Sequence, residues 1–185
     1  MDDVPEDVRD AMVTEAWMLI AERGLEGMST REVLARTGAP RGSVYHYFPR
    51  GRTQLVEEAI SRAQGWMSEQ IAAIEARTPA EVIRGYVDIW RRVLETTDYR
   101  AGCATVGLVS GAQEPGLLAR GATAFAAAAD GLAARFREVG ASTSDAGTRG
   151  TLVVAAVEGA VLMSRAQHDV RPLELVTEQL QQFLV

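Results

Sequence analysis

Lysine is absent from this 185-residue chain, and cysteine and histidine are scarce. All 19 basic side chains are therefore arginines, a bias that by itself excludes no fold. The single cysteine, Cys103, excludes an internal disulfide and is typical of a reducing compartment. Two histidines and one cysteine at wide spacing match no metal-binding pattern, so we expect neither a metal nor another cofactor.

Long hydrophobic runs are also missing. The longest mostly apolar stretch, Leu152 to Met163, contains Glu158 and is shorter than the roughly 20 residues that span a bilayer. The N-terminus is acidic, with Asp2 and Asp3, and lacks the basic and apolar pattern of a secretory signal. We therefore expect a cytoplasmic protein that does not enter a membrane.

Strand patterns are lacking too, because no stretch alternates convincingly between apolar and polar residues. Apolar residues instead recur at helical spacing, and all six prolines fall where helices would start or connect. The pattern predicts an all-α fold, with residues 140–150 as the most loop-like segment. The helices are expected at 5–23, 52–76, from 79, at 101–112, from 115, at 151–163 and from 172.

Residues 28–52 have the pattern of two short helices joined by a tight turn. Ser29 is suited to be the N-cap of the first helix, with Glu32 as the partner in a capping box. Gly38 can adopt the left-handed conformation that ends this helix, and Pro40 can open the next. The second helix is expected to span about two turns and to end near Phe48.

Positive charge is concentrated in the same stretch. Residues 28–52 hold five arginines against one glutamate, a balance of +4, whereas residues 1–27 carry −6 and residues 53–185 carry −4. An acidic protein with one basic segment is suited to directed rather than indiscriminate binding of nucleic acid.

The segment from Gly38 to Phe48, GAPRGSVYHYF, followed by Gly51 to Leu55, resembles the helix-turn-helix of TetR-family transcriptional repressors. Residues 101–104, 157–160, 165–169 and 172–173 are similar to the LmrA/YxaF-like subgroup of that family. The chain departs from the usual pattern at Arg52, where the family generally has lysine, and in the order of its aromatic residues.

The resemblance implies a DNA-binding domain at residues 1–52 and a larger helical domain for effector binding and dimerisation at residues 53–185. Thr30 and Arg31 are expected to hold phosphate, and Arg41 and Ser43 to contact base edges. Phosphate and sugar contacts are expected from Tyr45, His46, Tyr47 and Arg52. The alternative to a DNA contact is core packing for Tyr45 and Phe48, and a solvated charge for Arg36 and Arg50.

The family further implies a homodimeric repressor on a palindromic operator, released when a small apolar or aromatic compound binds the C-terminal domain. Residues 151–163 and the last helix are the candidates for the dimer interface, because a helix that is apolar nearly all round needs cover on two sides. Candidate ligand contacts are Trp66, Met67, Tyr86, Trp90, Cys103, Gln113, Phe125, Met163 and His168. Each of these residues also fits an ordinary structural position.

Two other functions are compatible with a helical chain of this composition. An enzyme would need a catalytic constellation, and the only candidate pair, Cys103 with His168, has no supporting pattern. A helical interaction module that does not bind DNA would leave the basic segment and its turn glycines without a role. We therefore do not expect an enzyme, and we favour a DNA-binding regulator.

Overall fold

Residues 5–184 are described by a computed structural model, and they form nine α-helices without any β-strand. The all-α prediction is therefore confirmed. The helices are α1 (Pro5–Gly27), α2 (Thr30–Thr37), α3 (Ser43–Tyr47), α4 (Arg52–Ala72), α5 (Pro79–Thr96), α6 (Ala104–Gly111), α7 (Pro115–Glu138), α8 (Thr143–Gln167) and α9 (Arg171–Leu184). Residues 1–4 and 185 lie outside this description, so the expectation based on Asp2 and Asp3 concerns residues it does not cover.

The helices form two compact units. The first is formed within residues 1–63 and 104–122, and the second within residues 64–103 and 123–185. The helices α4 and α7 each contribute residues to both units. These compact units do not test the predicted functional division at residue 52, which stays a prediction.

In the first unit, the apolar face of α1 is buried as its spacing predicts. Met12, Ala16 and Leu19 are fully buried, as are Val33 of α2 and Phe48 after α3. Burial of these side chains supplies the core that two short helices could not form alone. The prediction that Phe48 is a core residue is confirmed.

In the second unit, the core lies among α5, α7, α8 and α9. Its almost completely buried members include Tyr86 of α5, Phe136 of α7, Val157 of α8 and Leu173 of α9. The backbones of α7 and α8 touch at Gly150, where an added Cβ would lie 2.4 Å from the carbonyl oxygen of Ala129. A side chain at this position would separate the two helices.

The loop predicted at residues 140–150 is wrong for most of its length. The helix α8 begins at Thr143, and the hydroxyl of Ser142 accepts a hydrogen bond from the backbone N–H of Asp145. A serine followed three residues later by an acid is a helix-start signal, but two glycines nearby favoured a loop. Both Gly147 and Gly150 lie inside α8, and Gly150 packs closely against α7.

The start predicted for the second short helix is also wrong. Pro40 lies in a turn, where its carbonyl accepts a hydrogen bond from the N–H of Ser43, and α3 begins at Ser43. The helix is therefore five residues long, and its end before Phe48 agrees with the prediction.

By length and composition, α8 is the one helix among residues 5–184 that meets the criterion for a membrane span. The apolar run of residues 152–163 is short, but the helix that contains it has 25 residues. This is weak evidence for a span, because 44% of its most apolar window is buried and core helices of soluble proteins meet the same criterion.

Candidate nucleic-acid interface and effector cavity

The helix α2 is held at both ends by the residues that its sequence suggests. The hydroxyl of Ser29 accepts a hydrogen bond of 3.2 Å from the N–H of Glu32, and Gly38 ends the helix at φ +68°. The carboxylate of Glu32 binds Arg23 at 3.3 Å. These contacts place Thr30 and Arg31 in the first turn of α2, where backbone N–H groups are unpaired and the helix dipole favours an anion.

Two buried residues four positions apart anchor α3. Val44 and Phe48 face the core, which turns Tyr45 and His46 to the outside, and Tyr45 is 75% exposed. The ring of His46 meets the ring of Tyr47 edge-on, with 4.8 Å between centroids. The helix α3 therefore exposes polar and aromatic groups, while its two anchoring residues stay buried in the core.

Thr30, Arg31 and Arg41 lie around one open groove of about 730 Å³ between α2 and the turn that precedes α3. Leu34, Ala35 and Ala39 form its apolar floor. The structure therefore brings together three of the residues that the sequence assigned to DNA. Ser43 is partly exposed at the start of α3.

The arginines of residues 28–52 differ in what they already contact. Arg36 donates hydrogen bonds to Glu22 at 2.8 Å and to Glu15 at 3.4 Å, and the bond to Glu22 raises its pKa. Arg50 binds Glu57, and this hydrogen bond raises the pKa of Arg50 and lowers that of Glu57. Both arginines are therefore neutralised by acidic neighbours within the first unit.

Arg52 makes hydrogen bonds to backbone carbonyls that its position in the sequence does not indicate. Its guanidinium donates to the carbonyl oxygen of Leu25 at 2.6 Å and to that of Met28 at 3.2 Å. These carbonyls lie at the end of α1 and just beyond it, where backbone acceptors lack partners within the helix. Only the folded chain brings residue 52 to this position.

The side chains of Arg31 and Arg41 are exposed and make no hydrogen bond or ion pair with the described residues. The +4 balance of the segment therefore reduces to two arginines whose guanidinium groups are available. Both lie beside the same groove, and an unpaired guanidinium there is suited to phosphate or to the edge of guanine.

The residues predicted to contact a ligand fall into two groups. Tyr86 and Trp90 are buried in the core of the second unit, and Trp66, Met67, Cys103 and Phe125 pack against that core. Gln113, Met163 and His168 are exposed, and Gln113 belongs to the first unit. The structure thus brings six of the nine together and places three elsewhere.

A largely apolar, partly open cavity of about 390 Å³ lies between α7 and α8 in the second unit, with Ala126, Thr151 and Ala155 exposed at its edge. Its lining residues are Phe125, Ala126, Ala129, Thr151, Val154, Ala155 and Glu158. Of these, only Phe125 was among the predicted ligand contacts. The missed signal was Glu158, an acid in an otherwise apolar run.

Glu158 is 9% exposed, and its Oε2 has no hydrogen-bond partner among the described residues. Burial raises the pKa of its carboxyl to about 7, and a hydrogen bond from Cys103 opposes that rise. Burial also raises the pKa of Tyr86 well above its usual value, and the nearby charge of Glu158 adds to this effect. The cavity therefore contains one acid that can change its charge near neutral pH.

Two family models match the chain and together cover most of it. Residues 13–59 match the family of bacterial regulatory proteins named after TetR. Residues 79–179 match the C-terminal domain of LmrA/YxaF-like transcriptional regulators. The first match contains α2 and α3, and the second contains the cavity between α7 and α8.

Individual relatives agree with the two family models. The chain is 39% identical to the uncharacterized HTH-type transcriptional regulator Rv0196 of Mycobacterium tuberculosis, over 96% of this chain and 94% of that protein. It is 30% identical to the HTH-type transcriptional regulator LmrA of Bacillus subtilis, over 90% and 91% respectively. The crystal structure of the regulatory protein TetR from Rhodobacter sphaeroides has the same fold, with a TM-score of 0.83, 19% identity and coverage of 95% and 98%.

The matched families and relatives are transcriptional regulators rather than enzymes. The helices α2 and α3 lie inside the N-terminal match and correspond to the helix-turn-helix that the sequence predicts. The chain therefore belongs to the TetR family of bacterial DNA-binding transcriptional regulators, with a C-terminal domain of the LmrA/YxaF-like type.

Proposed function

We propose that this regulator is a homodimeric repressor that binds a palindromic operator in the cytoplasm and leaves it when a small-molecule inducer binds the second unit. The observation that supports this most strongly is the pair of unpaired, exposed arginines, Arg31 and Arg41, beside one groove next to α3. Within residues 28–52 the other three arginines already have partners.

In the proposed complex, contacts with DNA divide into positioning and reading. Arg31 and the unpaired N–H groups at the start of α2 hold a phosphate, helped by the hydroxyl of Thr30. Arg41 and Ser43 reach base edges, and Arg41 favours guanine because its two N–H groups match the O6 and N7 acceptors. Tyr45 and His46 contact the sugar–phosphate backbone, with Tyr47 beside them.

Arg52 differs from the other residues predicted to contact phosphate, because its guanidinium already has hydrogen-bond partners. Its guanidinium lies across the carbonyls of Leu25 and Met28, so a phosphate contact would have to share these donors. We propose that Arg52 acts mainly by fixing the end of α1 against the helix-turn-helix, and touches DNA only through whichever donors remain.

The dimer is proposed from the exposed apolar side chains of α8 and α9. Leu152, Leu162 and Met163 recur along one side of α8 and are each about half exposed, while Leu175 and Phe183 are exposed on α9. Apolar surface of this kind is buried by a partner more often than left in water. A second copy also extends the contact with DNA, because one α3 reaches only a few base pairs, whereas two copies read two half-sites.

The inducer is proposed to occupy the cavity between α7 and α8. A ligand shifts a two-state protein only if it binds the two states with different affinity. A site between packed helices meets that condition when their separation differs between the DNA-binding state and the released state. The cavity is apolar with one carboxyl group, as small-molecule sites commonly are.

Transcription in vitro tests the proposed sign of regulation. A promoter carrying the chain's own selected binding site is transcribed with and without the purified protein, and a scrambled site is the control. A repressor lowers the transcript from the first promoter only. A rise in transcript would identify an activator and overturn the proposal of repression.

The release step is tested in the same assay with a panel of small aromatic and aliphatic compounds. An inducer restores the transcript in the presence of the protein and leaves the scrambled promoter unchanged. If no compound in the panel weakens repression while the protein still binds its site, the proposal of inducer release fails and that of operator binding stands.

A further inference from the structure

The cavity between α7 and α8 has apolar walls and one acidic group. Phe125, Ala129 and Val154 supply aromatic and aliphatic surface, and Thr151 lies nearer the exposed side. The volume of about 390 Å³ falls within the range of roughly 300–1,000 Å³ typical of sites for small organic molecules. Every lining residue belongs to the second unit, so the cavity is complete within one compact body.

Glu158 is the feature of this cavity that folding alone does not explain. Its side chain is buried, one carboxylate oxygen lacks a hydrogen-bond partner among the described residues, and the lining includes no arginine or histidine. A buried ionised carboxylate without a counter-ion is strongly unfavourable. An apolar residue of similar size would pack here without that penalty.

The occupant must therefore supply what the lining lacks. The carboxylate repels an anion, and a hydrocarbon supplies no hydrogen-bond donor to the unpartnered oxygen. A protonated amine provides both a positive charge and N–H donors, while its organic part covers the walls formed by Phe125 and Val154.

We propose that the cavity binds an organic amine, with the ammonium group held by Glu158 and an aromatic or aliphatic body packed between α7 and α8. The role of this amine as inducer rests on the proposed function above. The binding of the amine does not, because it depends only on the cavity and its carboxylate.

Three probes of one shape test the chemistry. They are 2-(1-naphthyl)ethylamine, 2-(1-naphthyl)ethanol and 1-naphthylacetate, which carry a cation, a neutral hydroxyl and an anion on the same two-ring body. Titration calorimetry on the full-length wild-type protein at pH 7.5 should show saturable binding of the amine, at least about tenfold tighter than the alcohol, since a hydrogen bond to a charged group contributes that much. Equal binding of amine and alcohol, tighter binding of the anion, or no saturable binding of the amine would overturn the proposal.

Two variants assign any preference for the amine to Glu158. Glu158→Gln keeps the shape and removes the charge, and it should bring the affinities for amine and alcohol to within about threefold of one another, leaving only the hydrogen bond to a neutral amide. Glu95→Gln removes one exposed carboxylate of α5 outside the cavity lining, and it should leave the preference unchanged. A preference that survives in Glu158→Gln would place the amine elsewhere.

A pH titration of the wild-type protein checks the result without any substitution. The pKa of Glu158 near 7 means that the cavity loses its negative charge as the pH falls from 7.5 to 5.5. The other titratable groups around Glu158 are Tyr86 of α5, whose raised pKa keeps it neutral, and Cys103, which donates a hydrogen bond, while α7 presents Phe125 and alanines. Amine affinity should fall about tenfold over this range, and alcohol affinity should not change.

Adding the amine to the protein bound to its selected operator separates this proposal from the proposed function. Release of DNA that is lost in Glu158→Gln supports both. Amine binding that depends on Glu158 but leaves DNA affinity unchanged supports the site and contradicts its role as the inducer cavity. If compounds that do not compete with the amine release the DNA, an inducer still controls the regulator, but it binds at a different site.

Discussion

At the scale of single residues, the arginines of residues 28–52 differ in whether their charge is already paired. Arg36 and Arg50 lie against glutamates of the first unit, and Arg52 lies against carbonyls at the end of α1. Arg31 and Arg41 have no such partners among residues 5–184. Charge counted along the sequence therefore overstates the charge available to a phosphate.

Arg41→Ala should weaken binding to the selected operator by about 1–3 kcal/mol and relax its sequence preference, because it removes a contact to a base edge. Arg31→Ala should weaken binding to all sequences alike and reduce the salt dependence by about one phosphate contact. Arg50→Ala is the matched control, and it should have a smaller effect because its charge is paired with Glu57. Fluorescence anisotropy on cognate and scrambled duplexes measures all three. An equal loss on both duplexes for Arg41→Ala would contradict its assignment to base reading.

Glu158 also makes the stability of the protein depend on pH. Its pKa rises from a usual value of 4.5 to about 7 on folding, so the folded protein keeps a proton that the unfolded chain releases. The free energy of unfolding should therefore fall as the pH rises from about 4.5 to 7, by up to about 3 kcal/mol. Tyr86, whose pKa is raised well above its usual value, stays neutral throughout this range.

Urea unfolding at a series of pH values measures this effect as the difference between the wild type and Glu158→Gln. The glutamine variant should gain stability relative to the wild type as the pH rises, and Glu95→Gln should follow the wild type. A constant difference between the wild type and Glu158→Gln would mean that the carboxyl group is not desolvated as described.

At the scale of secondary-structure elements, the sequence predicted some helix starts correctly and missed others. Ser29 caps α2 as predicted, and Thr78 caps α5 in the same way, because a hydroxyl that accepts the third backbone N–H is a local feature. The start of α8 was missed although Ser142 forms the same contact. Two glycines weakened the local signal there, and contacts distant in sequence decided the outcome.

Those two glycines offer a matched test on one helix. A Cβ at Gly150 would lie 2.4 Å from the backbone oxygen of Ala129, whereas a Cβ at Gly147 would meet nothing within 4 Å. Gly150→Ala should destabilise the protein by about 1–3 kcal/mol through overpacking, and Gly147→Ala should stabilise it by up to about 1 kcal/mol through helix propensity. Urea unfolding measures both, and similar shifts of the same sign would contradict the close packing of α7 on α8.

At the scale of the whole molecule, the sequence predicted the fold class and the helix-turn-helix, because both depend on local periodicity and on a motif of adjacent residues. It did not predict the cavity, because Phe125, Val154 and Glu158 are brought together only by the packing of α7 on α8. It also selected Met163 and His168 as ligand contacts from their residue types, and both are exposed. Composition along a helix does not reveal which side faces a cavity.

Dimerisation is a property of the whole molecule with a direct test. Leu162→Glu places a charge on the exposed apolar side of α8 and should shift the species seen by analytical ultracentrifugation from twice the chain mass toward the 20.0 kDa of one chain. Leu118→Glu is the control, because Leu118 is similarly exposed but belongs to the first unit. Unchanged association in Leu162→Glu would exclude this side of α8 as the interface.

Selection from random DNA duplexes with the wild-type protein tests the central claim most directly. The account predicts enrichment of a palindrome bound by two chains, with affinity that falls as salt increases and that drops steeply when one half-site is scrambled. Enrichment of a single half-site bound by one chain, or no enrichment at any salt concentration, would contradict it.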